Sequence, residues 1–224
     1  GNIARSYHLP SLRRLADQDS ELELAALCDM VEERARAMAE RFGFARAYTD
    51  YRAMLDAEAP DAVWVLVPFQ ATRQVSGFFL ANKTPTFMEK PPGQCARETR
   101  ELLEIAEAHG TPNQVAFNRR HAPLLRKMKE LAAEAGEPVS ALSCQFYRYN
   151  RGESNFAFGT GLHGLDALRF LGDHEVRGVH TRPGLHGSAL VRLEYESGAY
   201  GSFEMLPLVG VQSERYTVHA AGRT

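Results

Sequence analysis

The first half of the chain alternates strand-like and helix-like segments, and this alternation constrains the fold more than any other feature. ELELAAL (21–27) reads as a strand. VEERARAMAERFG (31–43) reads as a helix, with Val31, Ala35, Met38, Ala39 and Phe42 on one stripe and Gly43 as its stop. DYRAML begins another short helix. AVWVLVP (62–68) is a strand with no polar face, as expected where both faces are covered. TRQVSGFFLANK reads as helix, PTFME as strand, ARETRELLEIAEAHG (96–110) as a long amphipathic helix, and QVAF (114–117) as strand. This β-α rhythm predicts parallel strands with helices on both faces, an α/β fold with a Rossmann-type doubly wound sheet.

The rhythm changes after about Arg119. APLLRKMKELAAEAG reads as a helix, PVSALSCQFYRYN as a long strand, and LHGLDALRFLG as a helix after a loop bearing Gly152 and Gly159. EVRGVHTR, SALVRLEYE and AYGSFEML are then strands, with Glu196, Ser197 and Gly198 turning between the last two. Long strands with few helices predict an α+β domain with an open, largely antiparallel sheet. The expected division is 1–118 and 119–224. Both ends read as cut: GNIARSYHLP opens with no strand before it, so the first strand of the sheet is missing, and RYTVHAA closes nothing.

Several function classes find no support. A net charge of -2 and a pI near 6.5 offer nothing to nucleic acid or an anionic membrane. The longest apolar run, 62–69, is far too short to span a bilayer. Three separated cysteines, Cys28, Cys95 and Cys144, suggest neither a disulfide framework nor a zinc site, and the histidines show no ligand-like grouping. No metal is expected, and a reducing cytoplasm is the default location.

Four stretches can carry chemistry, and each has an ordinary reading beside it. Gly1, Asn2, Ile3 and Ala4 fit the end of a dinucleotide turn, where small residues let backbone amides approach a pyrophosphate at a helix N-terminus. Asp29, after a strand, can accept hydrogen bonds from ribose hydroxyls; equally, it can cap the next helix with Glu32 as capping-box partner. No Arg adjoins it to hold a 2'-phosphate, which leans towards NAD over NADP. Lys90 lies in PTFMEKPPGQ, at the carboxyl end of a strand and ahead of two prolines that fix its direction. Partial desolvation there would suit it to proton transfer, although a solvated lysine in a Pro-rich turn has the same pattern. The Lys90–Pro91 bond is a candidate for the cis form. His163 begins a helix three residues before Asp166, either as a proton-transfer group or packed beside its own Asp. Arg119, Arg120 and His121 could hold a polar substrate or form a solvated basic turn.

The order of these elements resembles the Gfo/Idh/MocA family, whose members are related to glucose-fructose oxidoreductase and inositol dehydrogenase. The likeness rests on EKP at Glu89–Pro91, NRR at 118–120, and the G-x-H-x-x-D helix of GLHGLDALRFLG, and it covers essentially the whole chain. It implies an NAD (or NADP) cofactor and hydride transfer at a secondary hydroxyl of a sugar, cyclitol or polyol. Lys90 and His163 would be catalytic. The resemblance places Pro68 and Glu89 near the cofactor with the Gly1 turn and Asp29, and Arg120 beside the substrate. Phe146, Tyr147, Tyr149, Asn155 and Phe158 are candidate pocket residues, and the open sheet is a candidate homo-oligomer interface. Two departures stand out. Gly159 occupies the place of the Asp in the family's D-x-G-x-H, and VPFQAT puts Phe69 and Thr72 where TPN-x-x-H has polar residues. The missing Asp keeps open a regulatory member that binds dinucleotide or sugar, and the resemblance also admits an NAD-dependent glycoside-cleaving enzyme.

Overall fold

A computed structural model describes residues 1–152, 155–222 and 224. The chain divides into two compact units, Gly1–Ala116 and Phe117–Thr224.

The first unit opens directly on a helix. Pro10 lacks an amide hydrogen, and its ring would collide with the carbonyl four residues back. The chain meets it by widening one turn into a π-turn, Ala4–His8, in which the Leu9 amide reaches back to Ala4 O. Helix α1 (Leu9–Gln18) continues from there and buries Leu9 and Leu12. Strand β1 (Ala26–Cys28) crosses through α2 (Glu32–Phe42) to β2 (Arg46–Tyr48), its parallel partner. Gly43 ends α2 at φ 75°, where glycine is favoured, and its amide closes onto Ala39 O and Glu40 O. Helix α3 (Tyr51–Glu58) follows, capped by the Asp50 carboxylate on the Arg52 amide.

Strands β3 (Val63–Val65), β4 (Thr86–Met88) and β5 (Asn113–Val115) form a second parallel sheet in that order. Helices α4 (Phe69–Ala81) and α5 (Ala96–His109) connect them. Their shared core is Val63, Val65, Phe79, Leu80, Met88, Leu102 and Ala106. In a doubly wound sheet, β2–β1 and β3–β4–β5 are the two flanks of a central strand. Among the described residues no strand joins them.

Two expectations need correction. The run 21–27 is not a strand throughout: pairing starts only where the Ala45 and Arg46 amides reach Leu24 O and Ala25 O, and β1 is three residues long. Strand β3 is not covered on both faces. Val63 and Val65 are buried, but Trp64, pointing the other way, is 40% exposed and stacks on Phe87 at 5.8 Å.

The second unit is a five-stranded mixed sheet. Its strands are β6 (Ala141–Tyr147), β7 (Val176–Pro183), β8 (Ala189–Tyr195), β9 (Tyr200–Leu206) and β10 (Ser213–His219), in the order β10–β6–β9–β8–β7. All neighbours are antiparallel except β6 and β9. Helices α6 (Pro123–Ala133) and α7 (Leu162–Gly172) pack on one face, over a core that includes Leu142, Phe146, Phe203 and Tyr195. Fully burying one such side chain stabilises the fold by roughly 1.5–3 kcal/mol. Helix α7 approaches closely because its contact positions are glycines: a Cβ on Gly164 would lie 2.5 Å from the Phe203 ring, and one on Gly172 2.6 Å from Tyr195. The opposite face carries Ser143, Gln145, Tyr147, Arg192, Ser202 and Glu204, by the period-2 alternation of strands.

Candidate active site

In the first unit, the candidate residues lie where doubly wound folds bind ligands, at the carboxyl ends of the strands. Gly1 precedes the first helical residue, and the space where its Cβ would stand holds no atom within 4 Å. The first backbone bond of this helix runs from Arg5 N to Gly1 O. The amides of Asn2, Ile3 and Ala4 precede that bond, in the turn that the sequence pattern assigns to a dinucleotide. Asp29 follows β1, and its Oδ1 accepts from the Val31 amide at 3.0 Å. Its other oxygen lies 3.6 Å from Arg34 Nη1. Helix α2 starts after Val31, with no side-chain cap, so the expected capping box with Glu32 does not form. Arg34, which no pattern in the sequence singles out, is thus the cation beside Asp29; only its spacing of five from Asp29 could have signalled this. Pro68 follows β3 and is the exposed first residue of the turn into α4. Thr72 is 1% exposed within α4, so the residue at the family's polar position belongs to the core here.

The EKP tip is held from several sides. Glu89 follows β4, and its amide donates to Val65 O at 3.0 Å. Its carboxylate is divided: Oε2 accepts from the Lys90 amide at 2.9 Å and Oε1 from His8 Nε2 at 2.8 Å. His8 also meets the Phe87 ring edge-on at 5.6 Å. The Lys90–Pro91 bond is cis. Pro91, Pro92 and Gly93 are buried. A Cβ on Gly93 would stand 2.7 Å from Glu98 Cβ and 2.8 Å from Thr99 N, so the loop lies directly against α5. Glu98 in turn accepts from the Gln94 amide at 2.7 Å. Lys90 is half-buried on this rigid tip.

In the second unit, a π-turn, Ala157–Gly161, leads into α7. His163 is 8% exposed near the start of that helix and meets the Phe117 ring edge-on at 6.3 Å. Asp166 is 9% exposed and is engaged by Arg120. Arg120 donates from Nε to both carboxylate oxygens at 2.9 and 2.8 Å, and from Nη2 to Oδ1 at 2.6 Å. The hydrogen bonds to Asp166 raise the guanidinium pKa against a smaller desolvation effect. Arg120 thus clamps α7 one turn after His163. Its neighbour Arg119 pairs with Glu214 at 2.6 Å, and Arg148 and Tyr216 meet the same carboxylate. Burial acts to raise the Glu214 pKa, but the Arg119 and Arg148 charges and the donors outweigh it and lower it.

The other pocket candidates disperse. Phe146 is fully buried in the core. Tyr147 points from the opposite face of the sheet and donates to Glu204 at 2.6 Å, because adjacent strand residues face opposite ways. Tyr149 is 68% exposed. Asn155 is exposed, and its carbonyl accepts from the Gly159 amide at 2.6 Å; Phe158 is half-buried in the same segment. At Gly159 a Cβ would meet only Asn155 Nδ2, at 3.9 Å. A groove of about 750 Å³ between α6 and β10 is lined by Met128, Leu131, Tyr216 and Val218 among others, and by none of the candidate site residues. Among the described residues, no group of three His, Cys, Asp or Glu side chains could hold a metal ion. No helix among them is long and apolar enough to cross a membrane.

Comparison with known proteins decides the family. The model for an oxidoreductase family with an NAD-binding Rossmann fold, Gfo/Idh/MocA, matches residues 1–117. The chain belongs to this family. A D-xylose 1-dehydrogenase (NADP(+)) of Haloferax volcanii is 31% identical over 211 residues, 84% of this chain and 63% of that protein. An inositol 2-dehydrogenase of Salmonella typhimurium is 28% identical over 132 residues, 57% of this chain and 39% of that one. The chain therefore spans less than two thirds of the length of either. A crystal structure of a Gfo/Idh/MocA family oxidoreductase from Vibrio cholerae superposes with a TM-score of 0.79 at 27% identity, covering 99% of this chain and 71% of the other. The Rossmann-type sheet, the mixed and largely antiparallel second sheet and the family's NAD cofactor thus agree with the sequence expectation.

Proposed function

We propose that the protein is an NAD(P)-dependent dehydrogenase acting on a secondary hydroxyl of a sugar, cyclitol or related polyol. The observation that carries this is the EKP tip: a half-buried lysine at the carboxyl end of β4, fixed through Glu89 and braced by buried Pro91, Pro92 and Gly93. The substrate class is supported by the xylose and inositol dehydrogenases among the relatives. Residues 1–118 would serve the cofactor and 119–224 the substrate, with the open face of the second sheet as the contact between copies in a homo-oligomer.

The residues fit the cofactor. The amides of Asn2, Ile3 and Ala4 would hold the pyrophosphate, and Asp29 the adenosine ribose. Bound nicotinamide supplies the acceptor or donor for the hydride. Lys90 would hold the substrate oxygen and polarise its O–H bond. His163 would take the proton released when the alcohol becomes a ketone, and return it in the reverse direction. Arg120 and Asp166 would position α7, and so His163, without touching substrate. The Arg34–Asp29 contact supports use of NADP as well as NAD, since Arg34 could turn to a 2'-phosphate.

The regulatory reading has one observation in its favour, Gly159 at the place of the family's Asp. A titration of the intact protein with NADH and NADPH, read by energy transfer from half-exposed Trp64, tests the cofactor. A polyol screen with Lys90→Ala as control tests the chemistry. Saturable binding, together with turnover that Lys90→Ala abolishes while cofactor binding survives, is the expected outcome. Saturable binding with no turnover on any polyol would favour the regulatory reading. No binding by folded protein would remove the dehydrogenase reading.

A further inference from the structure

We infer that His8 is a positioning residue for Lys90, acting through Glu89. The inference rests on the dehydrogenase reading above and adds to it a link between the helix of the phosphate turn and the lysine.

The link is built from both ends. Glu89 is 81 residues from His8, yet its Oε1 accepts from His8 Nε2 at 2.8 Å, with both side chains less than a fifth exposed. Its other oxygen accepts from the amide of Lys90 itself. One carboxylate thus joins the imidazole to the backbone of the reactive residue, and each of its oxygens has a different partner. The imidazole is steadied by the Phe87 ring on the strand that carries Glu89. His8 is the last residue of the π-turn, so its direction is tied to the wider turn ahead of Pro10. That same helix carries the backbone amides of Asn2, Ile3 and Ala4 proposed for the pyrophosphate. An anion drawn to those amides would press on the helix that holds His8, and through Glu89 on Lys90.

Without His8, Glu89 Oε1 loses its named partner in a partly buried position, and the carboxylate is free to rotate away from the Lys90 amide. The lysine head would then sample directions that the tip now excludes. A displacement near 1 Å in a catalytic group lowers turnover by about 100-fold. Glu89→Gln should have a comparable effect, because its single amide oxygen cannot replace both carboxylate oxygens as acceptors.

The test uses the intact protein, with His8→Ala, His8→Gln, Glu89→Gln and the double variant His8→Ala/Glu89→Gln. The first readout is independent of substrate. The 224 residues contain four lysines, Lys83, Lys90, Lys127 and Lys129. Reductive 13C-methylation labels them, and loss of one signal in Lys90→Arg identifies Lys90. The expected result is that His8→Ala moves the Lys90 methyl signal and leaves those of Lys127 and Lys129 in place. His8→Gln, which keeps an N–H donor, should restore most of it. The NADH dissociation constant should stay within about threefold, while kcat on an active polyol falls 10- to 100-fold. In the double variant, His8→Ala should cost little beyond Glu89→Gln alone. Melting temperatures of all variants separate positioning from unfolding. An unmoved Lys90 signal in folded His8→Ala would overturn the inference, as would full additivity in the cycle. If the wild-type protein does not bind NADH, the dehydrogenase reading itself fails, which the titration shows separately from the lysine signal.

Discussion

Gly159→Asp restores the carboxylate that the family pattern carries four residues before the histidine, and the structure sets the size of its effect. The backbone at this position is helical, and a Cβ there would meet only Asn155 Nδ2 at 3.9 Å, an ordinary contact. Replacing glycine in a first helical turn by an acid gains a few tenths of a kcal/mol in propensity and a similar amount from the helix dipole, so stability should change by less than about 1 kcal/mol. The new carboxylate would stand one turn before His163, with Cβ atoms roughly 6 Å apart. At that distance a unit-charge pair interacts by about 0.7 kcal/mol in water and about 2.8 kcal/mol at an effective dielectric of 20. A carboxylate facing the imidazole favours its protonated form and so raises the His163 pKa, and His163 is 8% exposed, so solvent screens that attraction little. NMR titration of the imidazole, assigned by loss of its signal in His163→Gln, measures the shift directly and needs no substrate. A folded Gly159→Asp protein whose His163 titration is unchanged would refute the geometry, since the side chain at 159 could not then face the imidazole. A raised pKa together with a tenfold or greater rise in polyol turnover would identify the missing carboxylate as the factor that limits the wild-type reaction.

Two further expectations follow from contacts within each unit. Arg120→Ala leaves the nearly buried Asp166 carboxylate without its three hydrogen bonds and should destabilise the protein by about 1.5–3 kcal/mol, less whatever water recovers at the half-exposed Arg120 site. Thermal melts over the Arg120→Ala, Asp166→Asn cycle should show that the second change costs little once the first is made; strictly additive losses would contradict the clamp. Burial, reinforced by Asp50 and Asp29, pushes the Cys28 thiol up to about 11, from an ordinary value of 9.0. At pH 8 it should therefore react with a thiol reagent about 100-fold more slowly than an ordinary cysteine, while exposed Cys95 reacts at once and buried Cys144 not at all; comparable rates for Cys28 and Cys95 by mass spectrometry would refute this.

How much of this was legible in the sequence depends on how far apart the cooperating residues lie. Helix α7 was readable from residue 162 to residue 172 because its apolar period and its flanking glycines are local. The strands of the first unit were overread, because an apolar run such as 62–68 extends beyond the part that finds a ladder partner, and three paired residues are enough to hold β3 against β4. Phe146 and Tyr147 are adjacent on β6, and strand alternation forbids neighbours from facing one way, so the sequence itself excludes that both line one pocket. Pro10 in an otherwise helical run was a visible signal for the π-turn at 4–8. The pairings that organise the candidate site were out of reach of any local pattern. His8 meets Glu89 across 81 residues and Arg120 meets Asp166 across 46. In both cases a motif that is readable by itself, EKP or G-x-H-x-x-D, has its acidic residue held by a cation or imidazole from another element. The acids of these motifs are therefore better understood as anchors for Lys90 and His163, the residues proposed to react, than as proton carriers. That distinction separates Glu89→Gln and Asp166→Asn, which should disturb position, from Lys90→Ala and His163→Gln, which should remove the chemistry.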